Sequence, residues 1–142
     1  MVRVARWRLF ASSMALRITT PIQMRFADID SFGHVNNIAQ QAYFDLGKTA
    51  LYQELLRLTG ELRRIPAIIV SLHTDFMEQI LYGDDIVVVT EVESIGTKSL
   101  TLCQCIMRGE QLCTRSRTVM VCYDSEQRQS VEVPDAWREI LK

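Results

Sequence analysis

The feature that most constrains the fold is one long helix-like segment followed almost entirely by β-rich segments. Residues 37–60 carry apolar side chains at helical spacing around much of the segment's girth, and Gly60 is a typical C-terminal stop. Four runs rich in apolar and β-branched residues follow, at 66–76, 84–96, 98–109 and 111–124. A single apolar helix beside antiparallel strands is buried only if the sheet wraps around it, so the order predicts an α+β fold.

The two ends of the chain complete this order. The segment "IQMRFADID" (22–30) predicts a first strand, and "VPDAWREILK" (133–142) predicts a short final helix. Residues 1–27 contain five arginines and no acid. We therefore divide the chain into a basic N-terminal extension, residues 1–20, and a single domain, residues 21–142. The extension fits a targeting peptide, a membrane-touching tail or a start-site artefact, and the sequence does not choose among them.

Composition narrows the classes of partner. The hydrophobic content is 48% and the net charge is −1, which predicts a soluble domain without a general attraction to nucleic acid or anionic membranes. No apolar run is long enough to span a membrane. We expect no metal or other cofactor, because the sequence has no CxxC pair and no glycine-rich phosphate loop. Four cysteines in strand-like runs predict buried, reduced thiols in a cytoplasmic protein: Cys103, Cys105, Cys113 and Cys122.

The most polar stretch, "DIDSFGHVNN" (28–37), lies where the first predicted strand meets the long helix. A structural interpretation accounts for much of it. Gly33 supplies a tight turn, either Asn36 or Asn37 caps the helix, and Asp28 is a solvated strand-end acid. That interpretation leaves two side chains unexplained, Asp30 and His34.

A catalytic interpretation uses the same arrangement. The positive end of the long helix and its unsatisfied N–H groups face this segment, where they can polarise a carbonyl oxygen. Asp30, a few residues upstream, can then attack that carbonyl or deprotonate a water molecule that does. The pattern indicates transfer of an acyl group to water.

At these residues the sequence resembles a known family. "RFADIDSFGHVNN" and the following "YF" are similar to hotdog-fold thioesterases of the 4-hydroxybenzoyl-CoA thioesterase type, in particular to acyl-CoA and acyl-carrier-protein thioesterases with a D-x-D-x-x-x-H-V-N-N signature. The similarity extends over about residues 22–124. It implies a long central helix wrapped by a five- to six-stranded antiparallel sheet. It also implies a cofactor-free thioester hydrolase of lipid metabolism that forms a homodimer or homotetramer.

The resemblance further implies individual roles. Asp30 is the catalytic nucleophile or general base, and His34 assists it. The backbone N–H of Asn37 holds the thioester carbonyl, with Gly33 and Asn36 in the same substrate-binding loop.

The sequence also departs from relatives of this family at four positions. Phe32 stands where plant enzymes have a catalytic asparagine, and Asn37 stands where another branch has a histidine. Gln40 and Asp45 replace an aromatic residue and a glutamate found in many members. The resemblance therefore does not carry a glutamate-assisted step over to this chain.

Two other functions fit the same fold. The first is a non-catalytic module that binds acyl thioesters, which would not need a carboxylate aimed at the carbonyl. The second is a dehydratase or hydratase, which would need a histidine with an acid partner set beside the thioester. The presence of Asp30 ahead of His34 favours the hydrolase over both.

Overall fold

The computed structural model describes residues 16–60 and 67–141. One long helix and five main strands make up most of this region, with a short strand and a short helix near the C-terminus. In chain order the elements are β1 (Arg17–Pro21), a 3-10 turn (Phe26–Asp28), α1 (Asn37–Thr59), β2 (Ala67–Phe76), β3 (Val87–Ile95), β4 (Ser99–Arg108), β5 (Gln111–Asp124), β6 (Gln129–Ser130) and α2 (Asp135–Leu141).

The strands form one antiparallel arrangement with the order β1-β3-β4-β5-β2, and β6 pairs with β5. Strands β4 and β5 are joined by the tight turn at Gly109, which has a positive φ of 58°. The predicted α+β fold is confirmed: a long helix packs on a six-stranded antiparallel sheet.

Helix α1 is buried along one face. Its C-terminal half packs in a cluster with β4 and α2, where Leu51, Leu55, Leu102 and Trp137 are almost fully buried. Its N-terminal half packs in a second cluster through Phe44. The two clusters fix the helix across the sheet and thereby fix the direction in which its N-terminus points.

Between the two clusters the helix touches the sheet very closely at Gly47. A Cβ atom at this position would lie 2.6 Å from Thr90 Oγ1 and 2.8 Å from Gln104 Nε2. Gln104 Nε2 also donates a hydrogen bond of 2.8 Å to the backbone oxygen of Phe44. The absence of a side chain at Gly47 therefore allows the helix to approach the sheet this closely.

Both ends of α1 lie where the sequence predicts them, at an asparagine cap and at a glycine stop. Asn36 is the N-cap, and its Oδ1 accepts a 2.7 Å hydrogen bond from the N–H of Ile38. Gly60 is the C-cap in the left-handed region, with a φ of 66°. Its N–H donates to the backbone oxygen of Leu56 at 3.0 Å.

The first strand was predicted in the wrong place. β1 is Arg17–Pro21, and part of the segment expected to be a strand is instead the 3-10 turn Phe26–Asp28. Residues 17–21 pair with Val87–Glu91 of β3, and Arg17 Nε donates to Glu91 Oε1 at 2.6 Å. The sheet therefore begins before residue 21. The rest of the proposed extension, residues 1–15, lies outside the described residues.

Candidate active site

The polar segment forms a tight loop immediately before α1. Ile29 and Val35 form an antiparallel bridge, and the N–H of Asp30 donates to the backbone oxygen of His34 at 3.0 Å. Gly33 closes the turn, because its N–H donates to the backbone oxygen of Asp30 at 3.0 Å and its φ is 83°. A positive φ of this kind favours glycine. The loop thus brings Asp30 and His34 opposite each other.

Opposite residues in an antiparallel pair project to the same face, so the side chains of Asp30 and His34 leave the turn on one side. Both residues are half-buried. Asp30 Oδ1 accepts a 2.9 Å hydrogen bond from the N–H of Phe32, which orients the carboxylate. Among the described residues its other oxygen and the His34 ring have no hydrogen-bond partner. One carboxylate oxygen therefore remains available to a substrate or a water molecule.

The start of α1 offers two hydrogen-bond donors beside this loop. Asn36 satisfies the N–H of Ile38, and the N–H of Gln40 bonds to the backbone oxygen of Asn36 at 3.0 Å. The N–H groups of Asn37 and Ala39 have no acceptor in the part of the chain that the structure describes. Unsatisfied N–H groups at the positive end of a helix form an anion-binding site.

Asp28 does not fit the prediction that it is a solvated strand-end acid. It is only 2% exposed. Its Oδ2 accepts a 2.6 Å hydrogen bond from the Tyr43 hydroxyl, and its Oδ1 accepts one of 2.8 Å from the Arg25 guanidinium. Its backbone oxygen accepts from the N–H of Asn36 at 2.8 Å. Asp28 therefore ties the base of the loop to both the cap and the second turn of α1.

The same contacts keep Asp28 ionised. Burial disfavours its charged form, but the hydrogen bonds from Tyr43 and Arg25 outweigh it and hold the pKa below the ordinary 3.8. Burial, together with the hydrogen bond to Asp28, raises the pKa of Tyr43 well above its ordinary value. Tyr43 therefore stays protonated and acts as the donor. Sequence reasoning missed this pair, although the "YF" noted in the helix contains the tyrosine.

Two of the departures within α1, Gln40 and Asp45, have structural roles. Gln40 is buried, and its Nε2 donates to the backbone oxygen of Val35 at 3.3 Å while its Oε1 accepts from Thr114 Oγ1 at 2.5 Å. It thus links the end of the loop to β5. Asp45 is exposed and pairs with Lys48 at 3.0 Å, so its carboxylate is committed to a contact on the helix.

The described residues around the loop contain no cluster of metal-ligating side chains. Within residues 16–60 and 67–141, no group of three or more His, Cys, Asp or Glu side chains could hold a metal ion. The polar groups that meet at the loop are a carboxylate, an imidazole and helix N–H groups.

Within residues 16–60 and 67–141 no helix is long and apolar enough to cross a membrane.

The chain matches a known family over most of its length. The model of the thioesterase-like superfamily matches residues 24–141, which include the entire loop and α1. The chain belongs to this superfamily. The resemblance to thioesterases is therefore confirmed at the level of the superfamily, over most of the domain.

Individual relatives match most of the chain, in structure or in sequence. The structure of a predicted thioesterase from Bacillus stearothermophilus is 29% identical with a TM-score of 0.78, and the match covers 89% of this chain and 94% of that one. A structure of 4-hydroxybenzoyl CoA thioesterase in complex with 4-hydroxybenzoyl CoA has a TM-score of 0.77 at 22% identity, covering 89% and 99%. YsmA, an uncharacterized protein of Bacillus subtilis (strain 168), is 26% identical over 124 residues, 84% of this chain and 82% of YsmA. These matches agree with the predicted hotdog fold.

Proposed function

We propose that this member of the superfamily hydrolyses an acyl-CoA or acyl-carrier-protein thioester to a free acid and a thiol. One observation carries the proposal. A single tight loop joins a carboxylate with one unengaged oxygen, on Asp30, to the unsatisfied N–H groups at the start of α1. A nucleophile or base beside a preformed oxyanion site is what acyl transfer requires.

In the proposed reaction the thioester carbonyl oxygen accepts a hydrogen bond from the N–H of Asn37. Asp30 then acts in one of two ways. As a nucleophile it attacks the carbonyl carbon, the thiolate leaves, and water hydrolyses the resulting anhydride. As a general base it takes a proton from a water molecule whose oxygen attacks instead. In both routes negative charge develops on the carbonyl oxygen, where the positive end of α1 stabilises it.

His34, opposite Asp30 in the turn, is proposed to orient the attacking group or to move a proton. Gly33 and Asn36 contribute through the backbone. Gly33 allows the turn that places Asp30, and Asn36 occupies the cap position without using the Asn37 N–H. The proposed reaction consumes one thioester and one water molecule, releases an acid and a thiol, and requires no cofactor.

The CoA thioester is proposed as the substrate class by analogy of fold. The structural relative named above was solved with 4-hydroxybenzoyl CoA. In this chain the exposed apolar side chains of Phe26, Phe32 and Tyr82 lie in or near the loop and would suit an acyl or pantetheine group.

We also propose that the functional unit is at least a homodimer. β2 pairs with β5 along one edge, and its other edge has no strand partner among the described residues. Its apolar residues are strongly exposed, including Val70 at 55% and Leu72 at 47%. An unpaired apolar edge of this length favours pairing with another strand, and a second copy of β2 would supply one.

The decisive experiment measures thiol release from a panel of short, long and aromatic acyl-CoAs. With the best substrate, Asp30→Asn should lower kcat by at least about 10²-fold, the low end for losing a positioned acid or base. Asp85→Asn removes the same charge from an exposed turn and is the matched control. His34→Ala should reduce kcat by less than Asp30→Asn. Wild-type turnover in Asp30→Asn would overturn the mechanism, whereas acyl-CoA binding without thiol release by the wild-type chain would favour a binding module.

A further inference from the structure

The connection between β2 and β3, residues 77–86, lies against the polar loop, residues 28–37. We call this connection the β2–β3 loop. The N–H of Val35 donates a 2.8 Å hydrogen bond to the backbone oxygen of Ile80. Both residues are at most 4% exposed and belong to the same hydrophobic cluster. A buried backbone hydrogen bond therefore joins the two loops.

A second contact between the two loops lies at the surface. The rings of Phe26 and Tyr82 meet edge-on, with their centroids 6.0 Å apart. Phe26 precedes Asp30 in the chain, whereas Val35 follows it. The β2–β3 loop therefore contacts the chain on both sides of the proposed nucleophile or base.

The buried bond lies next to the groups of the proposed reaction. Val35 directly follows His34 and is two residues before Asn37. Its backbone oxygen accepts a hydrogen bond from Gln40 Nε2 at 3.3 Å, so both backbone polar groups of Val35 are held. Movement of Ile80 would shift the chain between the imidazole and the proposed oxyanion site. A displacement of about 1 Å can reduce the rate of an enzyme about 10²-fold.

Arg108, the last residue of β4, holds the β2–β3 loop at two points. Its Nη1 donates to the backbone oxygen of Gln79 at 3.0 Å and to Asp84 Oδ2 at 2.8 Å. Gln79 directly precedes Ile80. Asp84 Oδ2 also accepts a 2.9 Å hydrogen bond from the N–H of Leu81. Arg108 thus ties both arms of the loop to the end of a central strand.

The ion pair between Arg108 and Asp84 is partly shielded from water, because the two side chains are 34% and 23% exposed. The hydrogen bonds from the N–H of Leu81 and from Arg108 outweigh burial and hold the pKa of Asp84 below its ordinary 3.8. The carboxylate is therefore ionised at neutral pH. A hydrogen bond between two charged groups is stronger than one between neutral groups.

We propose that Arg108 is a positioning residue for thioester hydrolysis. By holding the β2–β3 loop it fixes the backbone oxygen of Ile80. The hydrogen bond from Val35 to that oxygen then fixes the spacing between Asp30 and the first N–H groups of α1. Arg108 does not touch the thioester in this scheme and acts through the loop. The inference rests on the proposed function, because it gives Arg108 a part in that reaction.

The kinetic test compares two substitutions of Arg108. Arg108→Met keeps most of the aliphatic stem and removes the donors, whereas Arg108→Lys retains a positive charge and donors. In steady-state thiol release, at a temperature where thermal melting shows every variant folded, Arg108→Met should lower kcat by roughly tenfold. Arg108→Lys should recover part of that loss. Arg117→Met is the matched control and should leave kcat unchanged, because it breaks a 2.6 Å ion pair with Glu93 that lies outside the β2–β3 loop.

A second measurement does not depend on hydrolysis. Amide hydrogen exchange followed by NMR reports how often the Val35–Ile80 bond opens. Arg108→Met should speed exchange of the Val35 N–H by roughly tenfold, because it removes hydrogen bonds made by a charged group. The N–H of Gly60, bonded to Leu56 at the far end of α1, is the internal control and should not change.

The two measurements separate the inference from the proposed function. Wild-type kcat in Arg108→Met, or unchanged exchange of the Val35 N–H, would overturn the positioning role and leave the proposed function standing. A lower melting temperature with wild-type kcat would show that Arg108 serves stability alone. If the wild-type chain releases no thiol from any acyl-CoA, the proposed function fails, and with it the catalytic part of the inference. Faster exchange in Arg108→Met would then still support the anchoring of the loop.

Discussion

The hydroxyl of Tyr43 donates a 2.6 Å hydrogen bond to the buried carboxylate of Asp28, joining the second turn of α1 to the base of the loop that carries Asp30. Both side chains are at most 4% exposed. A short bond between a protonated phenol and an ionised carboxylate, shielded from water, is stronger than one between neutral groups. This contact holds the loop against the helix.

Tyr43→Phe should therefore destabilise the protein by about 1.5–3 kcal/mol, the usual contribution of a hydrogen bond to a charged group. Urea denaturation measures the change. Tyr52→Phe is the matched control, because within the described residues the one hydrogen-bond acceptor of the Tyr52 hydroxyl is the weak acceptor Met120 Sδ, at 3.1 Å. Equal losses in the two variants would show that the Asp28 contact has no special strength.

A second prediction concerns acid stability. The pKa of Asp28 lies below 3.8 in the folded protein, so the unfolded chain takes up the proton first as pH falls. The stabilisation is complete at pH values above the unfolded pKa and is lost as pH falls through the folded pKa. Free energies of unfolding measured from about pH 5 downward should fall less steeply in Asp28→Asn than in wild type. Tyr43→Phe, which removes only one of the bonds, should lie between them; identical slopes would contradict this account.

The main elements were predictable because their signals are local. Helical spacing gave α1, and β-rich runs gave β2 to β5 within a few residues of their observed bounds. The position of β1 was not predictable, because this strand forms by pairing with β3, and its Arg17 pairs with a residue 74 positions away, Glu91. The two-residue strand β6 is too short to leave a pattern.

In the candidate site, too, the features set by local sequence were predictable and those set by contacts between distant residues were not. Gly33 and the Asn36 cap follow from the local chemistry of turns and helix ends, and the structure places them as expected. The burial of Asp28 depends on Tyr43, 15 residues along the chain, and on how α1 crosses the loop. The sequence motif identifies Asp28 as an acidic residue but does not show that Tyr43 is its hydrogen-bond partner.

Gly47 provides a test of the packing of α1. In an exposed helix, replacing glycine by alanine is favourable by about 1 kcal/mol. Here the new Cβ would meet Thr90 Oγ1 at 2.6 Å and Val88 Cγ1 at 2.7 Å. Gly47→Ala should instead destabilise the protein by about 1–3 kcal/mol in urea denaturation, as overpacking does. Thr49→Ala, at an exposed position of the same helix, should change stability by no more than about 0.5 kcal/mol. A Gly47→Ala variant more stable than wild type would contradict this prediction, because it would show that the neighbouring side chains move to make room for the new Cβ.

The last prediction concerns association through β2. If two copies pair through this strand, light scattering of the wild-type chain at micromolar concentration should give at least twice the mass of 16.3 kDa. Val70→Lys places a charge among the exposed apolar residues of this strand and should shift the mass toward the monomer, because lysine on an edge strand opposes pairing. His73→Gln, at an already polar and exposed position of β2, adds no charge to the strand; it is the control and should leave the mass unchanged. If the active site lies between subunits, thioester hydrolysis should fall with the dimer fraction in Val70→Lys. A monomeric wild-type chain would overturn the interface.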